Sequence, residues 1–315
     1  MLNRRHIREK VMKTLYAFFQ SENNQVVIGE KELFHSIDKV YEVYLYYMAL
    51  MPDMKHFAEG FLFDRSQKML PTNEDLNPKL NFVNNRIITA ISDHSELSQR
   101  LTKHKISWDG HEEMIKKLYY NFKDDLKFRE YLEAETPGFA EDKEIIMHLM
   151  ETYIFPSEAL EEFFEERSIY WLDDIHLMQA GILKTIKGIK EDSSEPFKLQ
   201  PLHKEAELDR KFASDLFRLT ILKSEEFQKE IAKRTQNWEI DRVAKMDVIL
   251  MKMAICELTE FTSIPVKVTL DEYIELSKDY SSPQSKTFIN GILDKIVIDF
   301  KKDKRIAKAG RGLVE

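Results

Sequence analysis

Residues 237–300 constrain the fold of this chain more than any other stretch. They read NWEIDRVAKMDVILMKMAICELTEF, then TSIPVKVTLDEYIELSKDYSSPQSKTFINGILDKIVIDF. Apolar residues recur at helical spacing in three runs, parted by two short connectors that each carry a proline, Pro265 and Pro283. This pattern predicts three amphipathic helices in succession. Asn290-Gly291 interrupts the last run, Phe288, Ile292, Ile296, Phe300. An interior glycine costs a helix about 1 kcal/mol relative to alanine. We therefore expect Gly291 to lie where another backbone approaches closely.

The other end of the chain carries a second signal. In NRRHIREKVMKTLYAF, Asn3 is placed to N-cap a helix, and Ile7, Val11, Leu15 and Phe18 form one apolar stripe. Arg4, Arg5, Arg8 and Lys13 fall largely off that stripe. Residues 1–20 hold five Lys/Arg and one acidic residue, within a chain of net charge −8. Arg4 and Arg8 are like charges at i,i+4, at the positive end of the helix macrodipole. Local rules broken twice at one spot point to a ligand there, and phosphate suits guanidinium forks. The competing reading is a solvated basic face.

With 315 residues, 43% hydrophobic and 32% charged, and only nine Gly and nine Pro, the composition favours an all-helical protein of two domains. The single cysteine, Cys256, excludes an internal disulfide and fits a reducing cytoplasm. No apolar run reaches the ~18–20 residues of a membrane span, and MLNRRHIREKV lacks the apolar region of a secretory signal. The expectation is a soluble cytoplasmic protein with no membrane association. The acidic balance argues against broad duplex binding but not against a local RNA site. Basic residues concentrate at 4–13 and again at 301–311.

Catalytic patterns are missing. His111-Glu112-Glu113 starts like H-E-x-x-H, but Ile115 stands where the second ligand belongs. There is no P-loop and no glycine-rich strand–helix unit; Gly310-Arg311-Gly312 lacks that context. Adjacent pairs such as Asp173-Asp174 and Asp124-Asp125 point about 100° apart on a helix. The reading is a protein that is not an enzyme and uses no cofactor or metal. The tyrosines Tyr41, Tyr44, Tyr46 and Tyr47 are expected in a core rather than stacked on bases.

Both ends resemble one family. The order D-x-I-L-x-x-x-A-I-x-E-L, I-P-x-K-V-x-L-x-E-x-I-E-L-S-K and F-I-N-G-I-L-D-K-I, with R-R-x-x-R-E and a Leu-Tyr pair on the first helix, is similar to the NusB family of bacterial transcription antitermination factors. The resemblance implies an all-α NusB-like helical bundle that binds boxA-type single-stranded RNA in ribosomal RNA transcripts. It also implies a NusE-type small-subunit ribosomal protein as partner, within an antitermination complex with RNA polymerase. Carried over residue by residue, it assigns RNA binding to Arg4, Arg5, His6, Arg8, Tyr16, Lys286 and Phe288, and partner binding to Asp247 and Gln284. Phe288 either stacks on a base or seeds the core. Gln284 stands where the family commonly has an acidic residue, so a partner contact at this position lacks that charge. The alternative is a helical protein–protein scaffold that keeps the fold without RNA binding. An accessory domain of an RNA methyltransferase fails for want of a cofactor-binding unit.

Ordinary family members would match about residues 1–21 and 205–301. The expected organisation is therefore a discontinuous RNA-binding domain, 1–29 and 201–301, a large helical insertion at 30–200, and a basic C-terminal tail at 302–315. Within the insertion, helical periodicity spans 31–51, 78–92, 111–133, 143–154 and 157–190, with breaks near Pro52, Pro71–Pro78, Pro137-Gly138 and Ser193–Pro201. The last of these is the expected exposed return path. Trp108, Trp171 and Trp238, at spacings of 63 and 67, each follow a similar apolar frame, opened by Ser95, Ser157 and Ser224 as candidate N-caps. This reads either as a thrice-used helical unit or as chance phasing of three tryptophans.

Overall fold

The computed structural model describes residues 1–21, 25–191, 195–235 and 243–313. No strand occurs among them, and the all-α class expected from composition is observed. In chain order the α-helices are α1 (Arg4–Gln20), α2 (Val26–Ser66), α3 (Asn73–Leu76), α4 (Arg86–Ser92), α5 (Ser95–His104), α6 (Glu112–Phe122), α7 (Leu126–Glu133), α8 (Phe139–Leu149), α9 (Glu158–Arg167), α10 (Ile175–Gly188), α11 (Ala206–Leu222), α12 (Ser224–Ala232), α13 (Lys245–Glu260), α14 (Val266–Tyr280) and α15 (Ser285–Lys302). They form two compact units, one of Met1 with Asp38–Leu202, the other of Leu2–Ile37 with His203–Glu315.

The unit of residues 38–202 is built on the long helix α2. A break was expected at Pro52, yet the helix runs through it. An interior proline costs a helix about 3 kcal/mol. Tyr47, Leu50, Met51 and Met54 on either side are fully buried, and each such side chain contributes about 1.5–3 kcal/mol, so packing outweighs the break. Tyr41, Tyr44, Tyr46 and Tyr47 all lie in the core, as expected. Their hydroxyls are satisfied: Tyr44 on Thr185 at 2.8 Å, Tyr46 by Arg167 at 2.7 Å, Tyr47 by Gln179 at 3.1 Å, and Tyr41 by Arg100. Burial pushes the Tyr47 hydroxyl up to about 12.

The tryptophan frame takes a different form. Trp108 stacks on Phe163 at 4.8 Å and donates its indole N–H to the Tyr46 carbonyl at 3.0 Å, while Trp171 packs on Tyr46 at 5.6 Å. The two meet around one tyrosine in one aromatic core rather than in successive stacked units. Trp238 lies outside the described residues. Of the three serines, Ser157 alone holds an N-cap position, and its side chain makes no cap bond there. His94 caps α5 instead, accepting from Leu97 N–H at 3.1 Å. The expected return path is exposed at Glu191, Glu195, Pro196, Lys198 and Pro201 but pinned at two points: Phe197 lies 4.2 Å from the His94 ring, and Leu199 is buried. Residues 192–194 lie outside the described residues.

In the second unit α13 is the central helix, packed on α1, α11, α12, α14 and α15. Ile7, Val11, Leu15 and Phe18 of α1 are buried as the stripe predicts. The first turns of α2 belong here, later in the chain than the expected boundary at residue 30. Glu30 accepts from Arg218 at 2.7 Å, and Arg210 lies 4.2 Å over the Phe34 ring. The backbone approach expected at Gly291 is not observed; Gly29 is the glycine of this helical layer that a neighbouring side chain presses. A Cβ there would stand 2.7 Å from Phe217 Cζ, whereas Gly291 is exposed with open space around it. Gly291 lies on the solvent side of α15, because helical periodicity sends Ile289, Ile292 and Leu293 inward on either side of it.

Candidate nucleic-acid interface

α1 begins as its sequence dictates. Asn3 Oδ1 accepts from the backbone N–H groups of Arg5 at 2.9 Å and His6 at 3.1 Å, and His6 Nδ1 accepts from Asn3 N–H at 3.3 Å. This capping box satisfies helix-end donors and fixes the direction of the first turn. His6 thus acts in the cap.

The three arginines of the first turns separate. Arg8, expected on an anion-binding face, is only 3% exposed and makes a bidentate pair with fully buried Glu257 of α13, Nε to Oε2 and Nη2 to Oε1, both at 2.8 Å. Thr269 donates to Glu257 at 2.8 Å and Tyr273 at 3.2 Å, so every strong acceptor site of the carboxylate is used. Burial works to lower the Arg8 pKa, but the Glu257 charge and hydrogen bonds outweigh it and raise it. Arg8 therefore clamps α1 to α13 and α14 from inside. The clue in the sequence is Glu257 itself: it continues the buried face of Leu250, Met253 and Ala254 at helical spacing, where an acid needs a partner.

Arg4 and Arg5 remain outside. Arg4 lies 4.8 Å over the Phe212 ring and makes no ion pair among the described residues. Arg5 is 45% exposed and donates to Glu272 at 3.1 Å. Both line a cleft of about 710 Å³ whose floor is Ile264, Pro265 and Val268 and to which Arg311 of the tail contributes.

A second basic position shares this side of the unit. Glu275 on α14 is held below the usual carboxylate range by Lys278, with help from the charges of Arg5 and Lys286. Arg5 and Lys286 therefore act on one carboxylate, although they lie far apart in sequence. Farther along α1, Lys13 lies 4.8 Å over Tyr280 and 2.8 Å from Glu9, and Gln20 accepts from Lys245 at 3.0 Å. Helical spacing puts Tyr16, 39% exposed, on this same face.

The two partner-binding candidates differ. Asp247 is 5% exposed and accepts from the Ser281 and Ser285 hydroxyls, the latter at 2.8 Å, so it ties the α14–α15 connector to the start of α13. Gln284 is exposed at the N-cap of α15, and Phe288 is half-buried. Among the described residues no cluster of His, Cys, Asp and Glu is arranged to hold a metal ion, and no helix is long and apolar enough to cross a membrane.

A family model described as "NusB family" matches residues 172–297. The match includes α11–α14 and most of α15, reaches back through α10, and leaves α1 outside. Proteins named transcription antitermination protein NusB are similar to parts of the chain. That of Salinibacter ruber is 47% identical over 105 residues, 33% of this chain and 66% of the relative. The Chloroherpeton thalassium protein is 44% identical over 27% of this chain and 40% of the relative, and that of Koribacter versatilis is 34% identical over 30% and 66%. The chain thus spans at most about two thirds of the length of these curated relatives. The ordered motifs along α13, α14 and α15 and the family match agree: residues 172–297 of this chain are NusB-family sequence.

Proposed function

We propose that this protein is a transcription antitermination factor that acts without catalysis, binding boxA-type single-stranded RNA through the face around Arg4, Arg5, Tyr16, Lys286 and Phe288. A NusE-type ribosomal protein is the proposed partner, within a complex that includes RNA polymerase. One observation carries the reading. Two guanidinium groups at a rigidly capped helix start line an open cleft with an apolar floor, while the third is committed to the interior and holds that helix in place. Guanidinium groups beside aromatic and apolar surface suit unpaired RNA, whose phosphates and splayed bases are both accessible.

The test is the affinity of the full chain for a boxA-type RNA, with and without the NusE-type protein, in wild type and in the Arg4→Ala/Arg5→Ala variant. If each arginine meets one phosphate, the slope of log affinity against log salt falls by about 1.4. Helical content is retained, because neither side chain belongs to the buried stripe. Unchanged affinity and slope in the double variant would make the helical scaffold the better reading.

A further inference from the structure

Beyond α15 the chain turns back onto its own domain. Lys304 adopts a left-handed conformation, φ 55°, and the Arg305 N–H donates to the Phe300 carbonyl at 2.8 Å while that of Lys304 donates to Lys301 at 3.2 Å. This is the Schellman reversal, here with lysine where glycine is usual. Arg305 completes it, lying 3.9 Å over the Phe300 ring and pairing with Glu226 at 2.6 Å and Glu230 at 3.1 Å. Lys308 then donates to the carbonyls of Glu257 and Phe261 at the end of α13, at 3.2 and 3.0 Å. Ala309 N–H donates to Thr262 at 3.0 Å. Gly312 sits so close that an added Cβ would lie 2.0 Å from the Thr262 carbonyl oxygen.

These anchors carry a cation toward other cations. Arg311 is exposed, makes no ion pair among the described residues, and lines the same cleft as Arg4 and Arg5. Glu272 also lines the cleft but is taken up by Arg5 and Arg8, so Arg4 and Arg311 add positive charge that it does not neutralise, and the anchors hold the tail there against that repulsion. An anion in the cleft reverses the sign of that interaction.

We propose that Arg311 is a phosphate-binding residue of the RNA site, sharing with Arg4 a backbone phosphate of single-stranded RNA whose adjoining base covers Ile264, Pro265 and Val268. The inference rests on the RNA-binding reading above and extends it to a segment outside the matched family region, which ends at residue 297. Arginine is suited to the task, because its planar fork meets two phosphate oxygens at once.

The experiment uses the full chain and a fluorescently labelled boxA-type single-stranded RNA, with anisotropy measured across a salt series. Arg311→Ala is expected to bind roughly 3–10-fold more weakly at low salt and to lower the log–log salt slope by about 0.7, one phosphate contact. Arg311→Lys is expected to restore the slope but only part of the affinity. Gly312→Val, which displaces the seat and leaves Arg311 in the chain, should show the alanine phenotype; wild-type binding by Gly312→Val would overturn the inference. So would an Arg311→Ala variant that keeps affinity and slope while Arg4→Ala/Arg5→Ala loses both, leaving the RNA reading intact. Loss of binding to the NusE-type protein, with RNA binding unchanged, would assign the cleft to protein instead. A wild-type chain that does not bind the RNA would overturn this inference and the RNA reading together.

Discussion

Replacing Arg8 with alanine removes the cation from a pair in which both side chains are almost completely shielded from water. Glu257 would keep the Thr269 and Tyr273 hydroxyls as donors but lose both guanidinium bonds. Breaking a buried pair by deleting one partner costs about 3–5 kcal/mol, because the remaining charge stays desolvated. For a domain of roughly 150 residues each kcal/mol lowers Tm by about 2–4 °C, so a fall of roughly 6–20 °C is expected. Thermal melts followed by far-ultraviolet circular dichroism would read it. The Arg8→Met/Glu257→Met variant removes both charges and should recover most of the loss, since an ion pair replaced whole by apolar groups is often neutral. A single Arg8→Ala variant within 2 °C of wild type would refute the clamp. So would a double variant as unstable as the sum of its two single changes, because coupled partners are non-additive. Arg8→Ala would also weaken RNA binding by loosening α1, which is why the test of the RNA face uses Arg4 and Arg5 alone.

The two glycines should behave oppositely. Gly291→Ala adds a methyl in open space and gains helix propensity, raising stability by about 0.5–1 kcal/mol in denaturant melts, whereas Gly29→Ala meets Phe217 and Phe18 and should lower it by about 1 kcal/mol net. Burial pushes the Cys256 thiol up to about 12, far above an unfolded cysteine near 8.5. Stability from this group is therefore complete below pH ~8 and falls as pH rises toward 12; a thiol reagent at pH 8.5 should label Cys256 only as fast as the chain unfolds, and labelling at the rate of a free thiol would contradict its burial. For the insertion, we propose that residues 38–202 are separable. Joining Ile37 to His203 through a flexible linker should give a soluble chain with a single cooperative melt, since loop closure costs only about 0.6 kcal/mol per doubling of length. Aggregation or a broad melt would refute separability.

Much of the helical layout was legible because helix formation leaves a local record. The stripe Ile7, Val11, Leu15, Phe18, the Asn3 cap and the connectors at Pro265 and Pro283 all have causes within a turn or two of chain. Punctuation by single residues was less dependable. Pro52 does not end α2, and His94 rather than Ser95 caps α5, because packing and a reachable ring nitrogen outweighed local preference. The candidate interface was legible as a set of residue types but not as a geometry. Arg4, Arg5 and Arg8 look alike in sequence.

By itself, then, the sequence determined the all-helical class, the helix faces and the ordered motifs that mark the family domain, since each depends on spacing along the chain. Tertiary structure alone decided which arginine is structural and which two line the open cleft. Glu257 lies 249 residues from Arg8 and reaches it only when α13 packs against α1. The same holds for Gly29, not Gly291, as a helix glycine pressed by a neighbouring ring, for Asp247 as a tie to Ser281 and Ser285, and for Arg311 on the cleft that Arg4 lines. Each of these pairings is set by the distance between helices, a quantity that no local periodicity encodes.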